Sequence, residues 1–243
     1  MDMGKPRREA GFSLIEIAIV LVVLGLLLAG LIGPMGTRIE QEERERTRAI
    51  LEEIKEALYG FAIAQGRLPC PDSDVPNNGR ENLTSSACTN AVGTLPWVDL
   101  AVPEEDAWGR RFRYRVTPSY ADAISQNTVA PPPPPACTTQ PTQASFALCS
   151  DGDITIRDGD DSISGTDEIA ANVAAVVISH GKHRFLLADA SPHEDENFES
   201  GDTLGTFVSR DYTGGTGEEF DDLVVWVSPL ILKNRMIMAG KLP

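Results

Sequence analysis

Apolar and polar positions divide the chain into three regions. Residues 12–34 are apolar except for Ser13 and Glu16, a length and composition typical of a membrane-spanning helix. Residues 35–66 place apolar side chains at helical spacing among charged ones, which predicts an amphipathic continuation of the same helix. Residues 67–243 alternate short apolar runs with turn-rich stretches, which predicts the strands and loops of one globular domain.

A short polar leader, residues 1–11, precedes the apolar region and carries Lys5, Arg7 and Arg8. Because positive charge favours the cytoplasmic side of a membrane, we expect a cytoplasmic N-terminus and an exported C-terminal region. A secretory signal peptide is the alternative, with small residues near Ala29 as its cleavage site. The apolar run is long for a signal peptide, however, and the predicted helix continues beyond it.

Glu16 is the unusual residue of the apolar region. A carboxylate near the centre of a membrane helix costs roughly 2.5–3.5 kcal/mol on insertion scales. Its neighbours on the same helical face are Ile19, Val20 and Val23, so no cation lies within helical reach. We therefore expect a partner from another chain, or from a positive charge created by processing. A plain membrane anchor would leave Glu16 unexplained.

The basic leader, Gly11 and the F-S-L-I-E run at residues 12–16 closely resemble the signature of type IV pilins and type II secretion pseudopilins. The resemblance implies cleavage between Gly11 and Phe12 by the prepilin peptidase, and N-methylation of Phe12. It also implies assembly, in which the freed amine of Phe12 on one subunit neutralises Glu16 of its neighbour inside a filament core. An unpaired charge is costly in such surroundings, so this pair would also fix the axial register.

The resemblance implies an α+β, pilin-like fold, with a long N-terminal helix packed on an antiparallel β-sheet that carries long disulfide-pinned loops. We expect a leader at residues 1–11, a transmembrane half of the helix at 12–34, an amphipathic half at 35–66 and a periplasmic domain at 67–243. The chain would cross the bacterial inner membrane once, and would lie in a periplasmic or extracellular filament after assembly. The implied partners are other pilin or pseudopilin subunits, the prepilin peptidase and the inner-membrane assembly platform.

The ionisable residues give a net charge of −15, from 36 acidic and 21 basic side chains. This balance argues against nucleic-acid binding, which needs a basic surface. The acidic surface suits a soluble exported domain and could attract divalent cations.

Four cysteines in an exported domain predict two disulfides. Their spacing forms two local pairs, so we favour Cys70–Cys88 and Cys137–Cys149 among the three connectivities. Zinc binding is the alternative, but no C-x-x-C or nearby Cys/His spacing supports it.

Residues 111–117 alternate strictly and form the clearest predicted strand. We expect Phe112, Tyr114 and Val116 to face a core and the intervening arginines to face outward. Further strands are predicted at 153–156, 173–179, 184–188 and 223–227, with a hairpin turn at 180–183 between the middle two. In the amphipathic helix, an apolar stripe is formed by Ile50, Ile54, Leu58 and Phe61, joined by Leu51, Ala57 and Ala62. Gly66 should cap the helix. The polyproline run at 131–135 is interpreted as an exposed insertion.

Two acidic clusters raise the question of calcium, which prefers hard oxygen ligands. The first, at residues 158–168, matches an EF-hand only loosely and is better interpreted as a solvated turn. The second places Asp221 and Asp222 before a strand that carries Trp226. This end resembles the calcium-binding loop of the major type II secretion pseudopilins.

By that resemblance Asp221 and Asp222 would be calcium ligands, and Leu204 and Asp211 are further candidates. The turn D-A-W-G at residues 106–109 is likewise similar to the Asp-Pro-Trp-Gly turn of that group, with Ala107 in place of proline. The alternative is that the acidic residues only end a loop and that Trp226 belongs to the core.

Catalysis finds little support in the sequence. His180, His183 and His193 lie on predicted turns, and no nucleophile, zinc-peptidase or phosphate-loop motif is present. We therefore expect a structural subunit of a type II secretion or type IV pilus filament, and no enzyme. The competing hypothesis is a membrane-anchored periplasmic binding or enzymatic domain that uses a pilin-type export signal. Similarity at Asp106 and Asp221 favours a secretion pseudopilin. The chain is longer than is usual for the major subunit of that group, which is compatible with a minor, initiating or tip-proximal subunit, although Glu16 argues against the tip subunit that lacks this glutamate.

Overall fold

The computed structural model describes residues 13–123, 143–159, 167–182, 191–199, 205–214 and 219–242. The chain divides into two compact units, Met1–Glu43 and Arg44–Pro243. One long helix, α1 at Leu14–Gln65, contributes to both units.

In the first unit, α1 presents large apolar side chains to the surface, from Leu14, which is 90% exposed, to Leu27, which is 60% exposed. No helix within the described ranges is both long and apolar enough to cross a membrane. The structure therefore does not confirm the predicted transmembrane helix at residues 12–34.

In the second unit, α1 buries one stripe of side chains. Leu51, Ile54, Leu58 and Ala62 are completely or almost completely buried, whereas Ile50 and Phe61 are only partly buried. All four buried residues belong to the predicted apolar stripe, and its other members, Ile50, Ala57 and Phe61, are partly buried at its border. The helix ends as predicted at Gly66, whose N–H donates to the carbonyl of Ala62 at 2.8 Å and whose φ is +75°. Such a left-handed position favours glycine.

Short strands and helices follow α1. They are β1 (Leu83–Thr84), β2 (Ala87–Cys88), β3 (Val92–Thr94), α2 (Trp97–Leu100), β4 (Arg113–Val116), α3 (Pro118–Ala121), β5 (Ile154–Arg157), β6 (Glu168–Val173), β7 (Ala175–Ser179), α4 (Pro192–Glu199), β8 (Thr206–Val208), β9 (Leu223–Val227) and α5 (Pro229–Met238). The predicted strand at 223–227 matches β9 residue for residue. The predicted α+β class is confirmed.

Two main sheets build the domain. The larger is antiparallel with strand order β3-β4-β7-β9, and Val177 of β7 pairs with Tyr114 on one side and Val225 on the other. The smaller has the order β6-β5-β8, in which β5 and β8 are parallel. The prediction of one antiparallel sheet is therefore incomplete, because the domain also contains a second sheet with both antiparallel and parallel pairs.

The predicted strand at 173–179 is in fact two elements. β6 ends at Val173 and β7 begins at Ala175, so the chain passes from the smaller sheet to the larger one at Ala174. A continuous apolar run is compatible with either sheet and cannot show such a switch. The predicted strand at 184–188 and the polyproline run at 131–135 lie outside the described residues, as does part of the turn predicted at 180–183.

The larger sheet is buried on both faces. Phe112, Tyr114 and Val116 join the α1 core as predicted, whereas Val176 and Ile178 pack with Ile154, Ile156 and Phe207 of the smaller sheet. The prediction of a solvated arginine face is wrong for Arg115, which is only 8% exposed and forms an ion pair with Asp153 at 3.0 Å. The second sheet covers a face that alternation alone would assign to solvent.

Cys70 and Cys88 form the first predicted disulfide. Beside it, Arg67 and Glu81 form a largely buried ion pair at 2.6 Å, and Glu81 also accepts the N–H of Cys70 at 3.0 Å. Cys149 is disulfide-bonded as well, but its predicted partner Cys137 lies outside the described residues, so that pairing stays a prediction.

Candidate functional site

The start of α1 forms a capping arrangement between Ser13 and Glu16. The carbonyl of Ser13 accepts the N–H groups of Glu16 and Ile17 at 3.0 and 3.2 Å, and Glu16 Oε2 accepts the N–H of Ser13 at 3.5 Å. The contact from Glu16 back to the N–H of Ser13 is one half of an S-x-x-E capping box, whereas the N–H of Glu16 is bonded by the backbone carbonyl of Ser13 and not by its hydroxyl. The last distance is at the long limit for a hydrogen bond, so the carboxylate is held loosely. The sequence analysis missed this role, although the S-x-x-E spacing was its signal.

The capping arrangement changes the electrostatic argument about Glu16. A carboxylate in the first turn of a helix is stabilised by the positive end of the helix dipole. Glu16 therefore has some stabilisation within its own chain, and its need for a cation from another subunit is smaller than the sequence suggested. Gly11 and Phe12 lie outside the described residues, so the structure gives no geometry for the processing site.

A second site lies at the other end of the chain, where three buried carboxylates converge. Glu194 of α4 joins Asp221 and Asp222, which directly precede β9, and one oxygen of each lies within 4.8 Å of the others. Asp221 and Asp222 are the residues proposed from sequence. Glu194 was not anticipated. The further candidate Asp211 is exposed and outside this group, and Leu204 lies outside the described residues.

The loop after β7 fixes Asp221. The N–H of Lys182 donates to Asp221 Oδ2 at 2.9 Å, and the N–H of Asp221 donates to Glu194 Oε1 at 2.8 Å. Gly181, with a φ of +55°, lies so close that a β-carbon there would be 2.5 Å from the carbonyl oxygen of Asp221. Glycine is therefore required at this position by both its backbone angle and its close approach.

Asp222 is held by two other side chains. Its Oδ1 lies 3.2 Å from Nδ1 of His180, and its Oδ2 accepts a hydrogen bond from Asn197 at 2.8 Å. Asn197 also bonds both backbone groups of Val208 in β8, at 2.7 and 2.9 Å. The acidic residues thus connect α4, β8, β9 and the loop after β7.

The cluster changes the acid–base behaviour of Glu194. Burial raises the pKa of this carboxyl to about 8, and the neighbouring carboxylates of Asp222 and Asp221 act in the same direction, although the N–H of Asp221 opposes them. Without a cation, Glu194 therefore keeps its proton at neutral pH. A proton or a metal cation would each relieve the repulsion among these groups.

The turn at Asp106–Gly109 supports the same region. Asp106 Oδ1 accepts the N–H groups of Trp108 and Arg110 at 2.9 and 3.0 Å, and its Oδ2 accepts the hydroxyl of Ser179 at 2.6 Å. The φ of +75° at Gly109 explains the glycine at the end of the turn. Asp106 is therefore a positioning residue that ties this turn to the end of β7.

Arg110 extends that support to the loop that fixes Asp221. Its guanidinium donates to the carbonyls of His180 and Gly181 at 3.1 and 2.8 Å, and also to that of Lys182. The sequence did not predict this contact, because Arg110 and His180 are 70 residues apart in the chain.

The predicted surface histidines behave differently from one another. His180 contacts Asp222, as described above. His193 is buried within α4, so its assignment to a turn is wrong. His183 lies outside the described residues. The helical character of residues 192–199 was hidden because the segment is polar and has no apolar stripe.

The N-terminal region relates the chain to a known protein family. Residues 6–32 match the family model of the prokaryotic N-terminal methylation motif, which is the signature of type IV pilins and pseudopilins. No curated protein and no solved structure matches the chain. The match contains Gly11, Phe12 and Glu16, the residues on which the predicted processing and assembly depend.

Proposed function

We propose that this chain is a pilin-type subunit that is cleaved after Gly11, N-methylated at Phe12 and assembled with other subunits into a filament. The observation that carries the proposal is the methylation motif at residues 6–32. The motif implies processing by the prepilin peptidase and partnership with other pilin subunits. The proposed filament is that of a type II secretion system or a type IV pilus, built on the inner-membrane assembly platform.

The exposed side chains of the first unit support assembly. Large apolar residues from Leu14 to Leu27 lie at the surface, among them Leu14 and Leu26 at 90% and 70% exposure. An apolar surface of this extent normally marks contact with lipid or with other proteins. We propose that this segment anchors the subunit in the inner membrane, with a cytoplasmic N-terminus and a periplasmic domain, and enters the filament core on assembly.

In the proposed filament, Glu16 accepts the methylated amine of Phe12 from a neighbouring subunit. The loose 3.5 Å contact with Ser13 leaves the carboxylate able to exchange this weak local bond for a charged one. Removal from water strengthens such a pair and penalises any arrangement that leaves either charge alone. The pair would therefore fix the register of neighbouring subunits.

The test compares three full-length variants in cells that supply the peptidase and the assembly platform. Glu16→Ala should be cleaved normally but should form no filaments. Glu16→Gln keeps a capping group at the same helix position but removes the charge, so it should fail as well. Glu53→Ala removes an exposed glutamate from the same helix and serves as the matched control.

The competing hypothesis, a membrane-anchored periplasmic binding or enzymatic domain, gives a different result. In that case Glu16→Ala should leave the chain's localisation and activity unchanged, because no neighbouring subunit is needed. Assembly by Glu16→Gln but not by Glu16→Ala would assign Glu16 to helix capping and would contradict the charge pair.

We also propose that the carboxylate cluster holds Ca²⁺. The donors fit a hard cation, since Glu194, Asp221 and Asp222 bring three buried carboxylates together. A bound cation would neutralise their mutual repulsion and fasten α4 to the loop before β9. Glu194 takes the place that the sequence analysis gave to Asp211.

Calcium titration of the chelated full-length protein tests this proposal. Added Ca²⁺ should raise the melting temperature and protease resistance, and Glu194→Gln should weaken this response. The matched control Asp211→Asn should respond like the wild type. An unchanged melting temperature with and without chelator would overturn the calcium proposal.

A further inference from the structure

Within the described residues, other parts of the chain cover two of the four outer edges of the two main sheets, each at one residue. At the β3 edge, Thr94 exchanges both backbone hydrogen bonds with Asp72, at 2.9 Å each. At the β8 edge, the side chain of Asn197 bonds both the N–H and the carbonyl of Val208. An uncovered edge is a template for pairing with another chain, so closing these edges prevents unwanted association.

The remaining edges belong to β9 and β6. Within the described parts of the chain, no strand or bridge pairs with the outer side of Leu223–Val227 or of Glu168–Val173. β6 is exposed along most of its length, and Ile169 is 47% exposed. Among the described residues, both edges are therefore outer strands without a pairing partner.

The β9 edge borders a groove. Two cavities of about 610 and 630 Å³ adjoin along it and share Ser209 and Val224. The facing wall is a stripe of α1 formed by Arg48, Glu52, Lys55 and Tyr59. We call this space, between that stripe and β9, the β9 groove.

The length of the β9 groove matches that of one additional strand. The helical stripe from Arg48 to Tyr59 extends about 16 Å, from 1.5 Å per residue. A five-residue strand such as β9 extends about 17 Å. An incoming strand could therefore pair along the whole of β9 while contacting α1.

The charge of the β9 groove differs from that of the whole chain. Its lining contains four basic and five acidic residues, namely Arg48, Lys55, Arg210 and Arg235 with Glu52, Glu56, Asp158, Asp211 and Asp222. The whole chain has 21 basic and 36 acidic residues, so two copies repel one another over most of their surfaces. Because the numbers of basic and acidic residues in the β9 groove are nearly equal, two copies can contact each other there without strong charge repulsion.

We infer that the β9 groove receives the β6 edge of a second copy of this chain. The two central residues of β6, Ala170 and Ala171, have small side chains that leave the backbone of this edge accessible to a neighbouring strand. Because β9 and β6 are different surfaces, the contact is heterologous and repeats from copy to copy without closing. The inference rests on the proposed filament and specifies a lateral contact within it.

The test uses filaments assembled from the full-length, processed chain. Val225→Cys is combined in turn with a cysteine at each position from 168 to 172, so that every register of pairing is sampled. At least one combination should give disulfide-linked ladders in filaments, whereas single-cysteine variants should give none. Ile169→Asp should reduce filament yield without lowering the melting temperature. Met238→Asp, which places the same charge at an exposed apolar position outside the groove, is the control.

The outcomes separate this inference from the proposed function. If the wild-type chain forms no filaments at all, the proposed function fails. If filaments form but no cysteine combination cross-links and Ile169→Asp assembles like Met238→Asp, the β9–β6 contact is wrong and the proposed function stands.

Discussion

The two halves of α1 contain similar apolar residues but have different surroundings. In the first unit, Leu14 and Leu26 are 90% and 70% exposed, whereas Leu51 and Ile54 in the second unit are 1% and 0% exposed. The second half is held by the core of its own domain. The first half exposes apolar side chains that a helix normally buries, a surface that is typical of contact with lipid or with other proteins.

The two halves of α1 should therefore contribute to different properties, the second half to the stability of the domain and the first half to assembly. Substitutions in the second half of α1 should change folding, and those in the first half should change association. The same logic applies to the domain, where the Cys70–Cys88 disulfide stabilises the fold and the β9 and β6 edges are the proposed contacts with other subunits.

The largest effect is expected from paired isoleucine substitutions in the two halves. Ile54→Ala should lower the free energy of unfolding by about 2–5 kcal/mol, because it leaves a cavity in the core. Ile17→Ala, at a side chain that is 51% exposed, should change it by less than about 0.5 kcal/mol but should reduce filament formation. Urea unfolding and filament yield measure the two effects. Equal destabilisation by both variants would contradict the conclusion that only the second half of α1 is part of the folded core.

Removal of the Cys70–Cys88 disulfide should have the next largest effect. Its cysteines are 18 residues apart, and closing a loop of this size stabilises a domain by about 3 kcal/mol. The double variant Cys70→Ser, Cys88→Ser should therefore unfold at lower denaturant concentration, while prepilin cleavage proceeds normally. Loss of cleavage in this variant would show that the two regions are more closely coupled than we propose.

A smaller effect is expected from pH on the chelated protein. The pKa of Glu194 is raised from 4.5 to about 8, so the folded state binds its proton more tightly than the unfolded state. Stability should therefore be highest below about pH 4.5 for this group and should fall as the pH rises toward 8, by on the order of 2 kcal/mol. Glu194→Gln should flatten this part of the pH profile, measured by denaturant unfolding. A wild-type-like slope in that variant would assign the pH dependence to other groups.

The sequence predicted those elements that depend on local pattern. The alternation at Phe112, Tyr114 and Val116 identified the buried face of β4, and the Leu223–Val227 strand was correct at both ends. Gly66 was recognised as a helix cap because its signal is also local.

Features that depend on long-range packing were not predictable in this way. The switch between sheets at Ala174 lies inside one apolar run, and the burial of Arg115 requires a second sheet that no alternation pattern announces. In the candidate site, resemblance identified Asp221 and Asp222, but Glu194 reaches them only because α4 packs beside β8. A polar segment without a motif gives no indication of such a contact.

The central claim, that this chain is processed as a pilin-type subunit, is tested most directly by its N-terminus. Mass spectrometry of the chain recovered from membranes of cells that contain a prepilin peptidase should find a first residue of Phe12 carrying an N-methyl group. A chain that still begins at Met1, with the bond between Gly11 and Phe12 intact, would contradict the account.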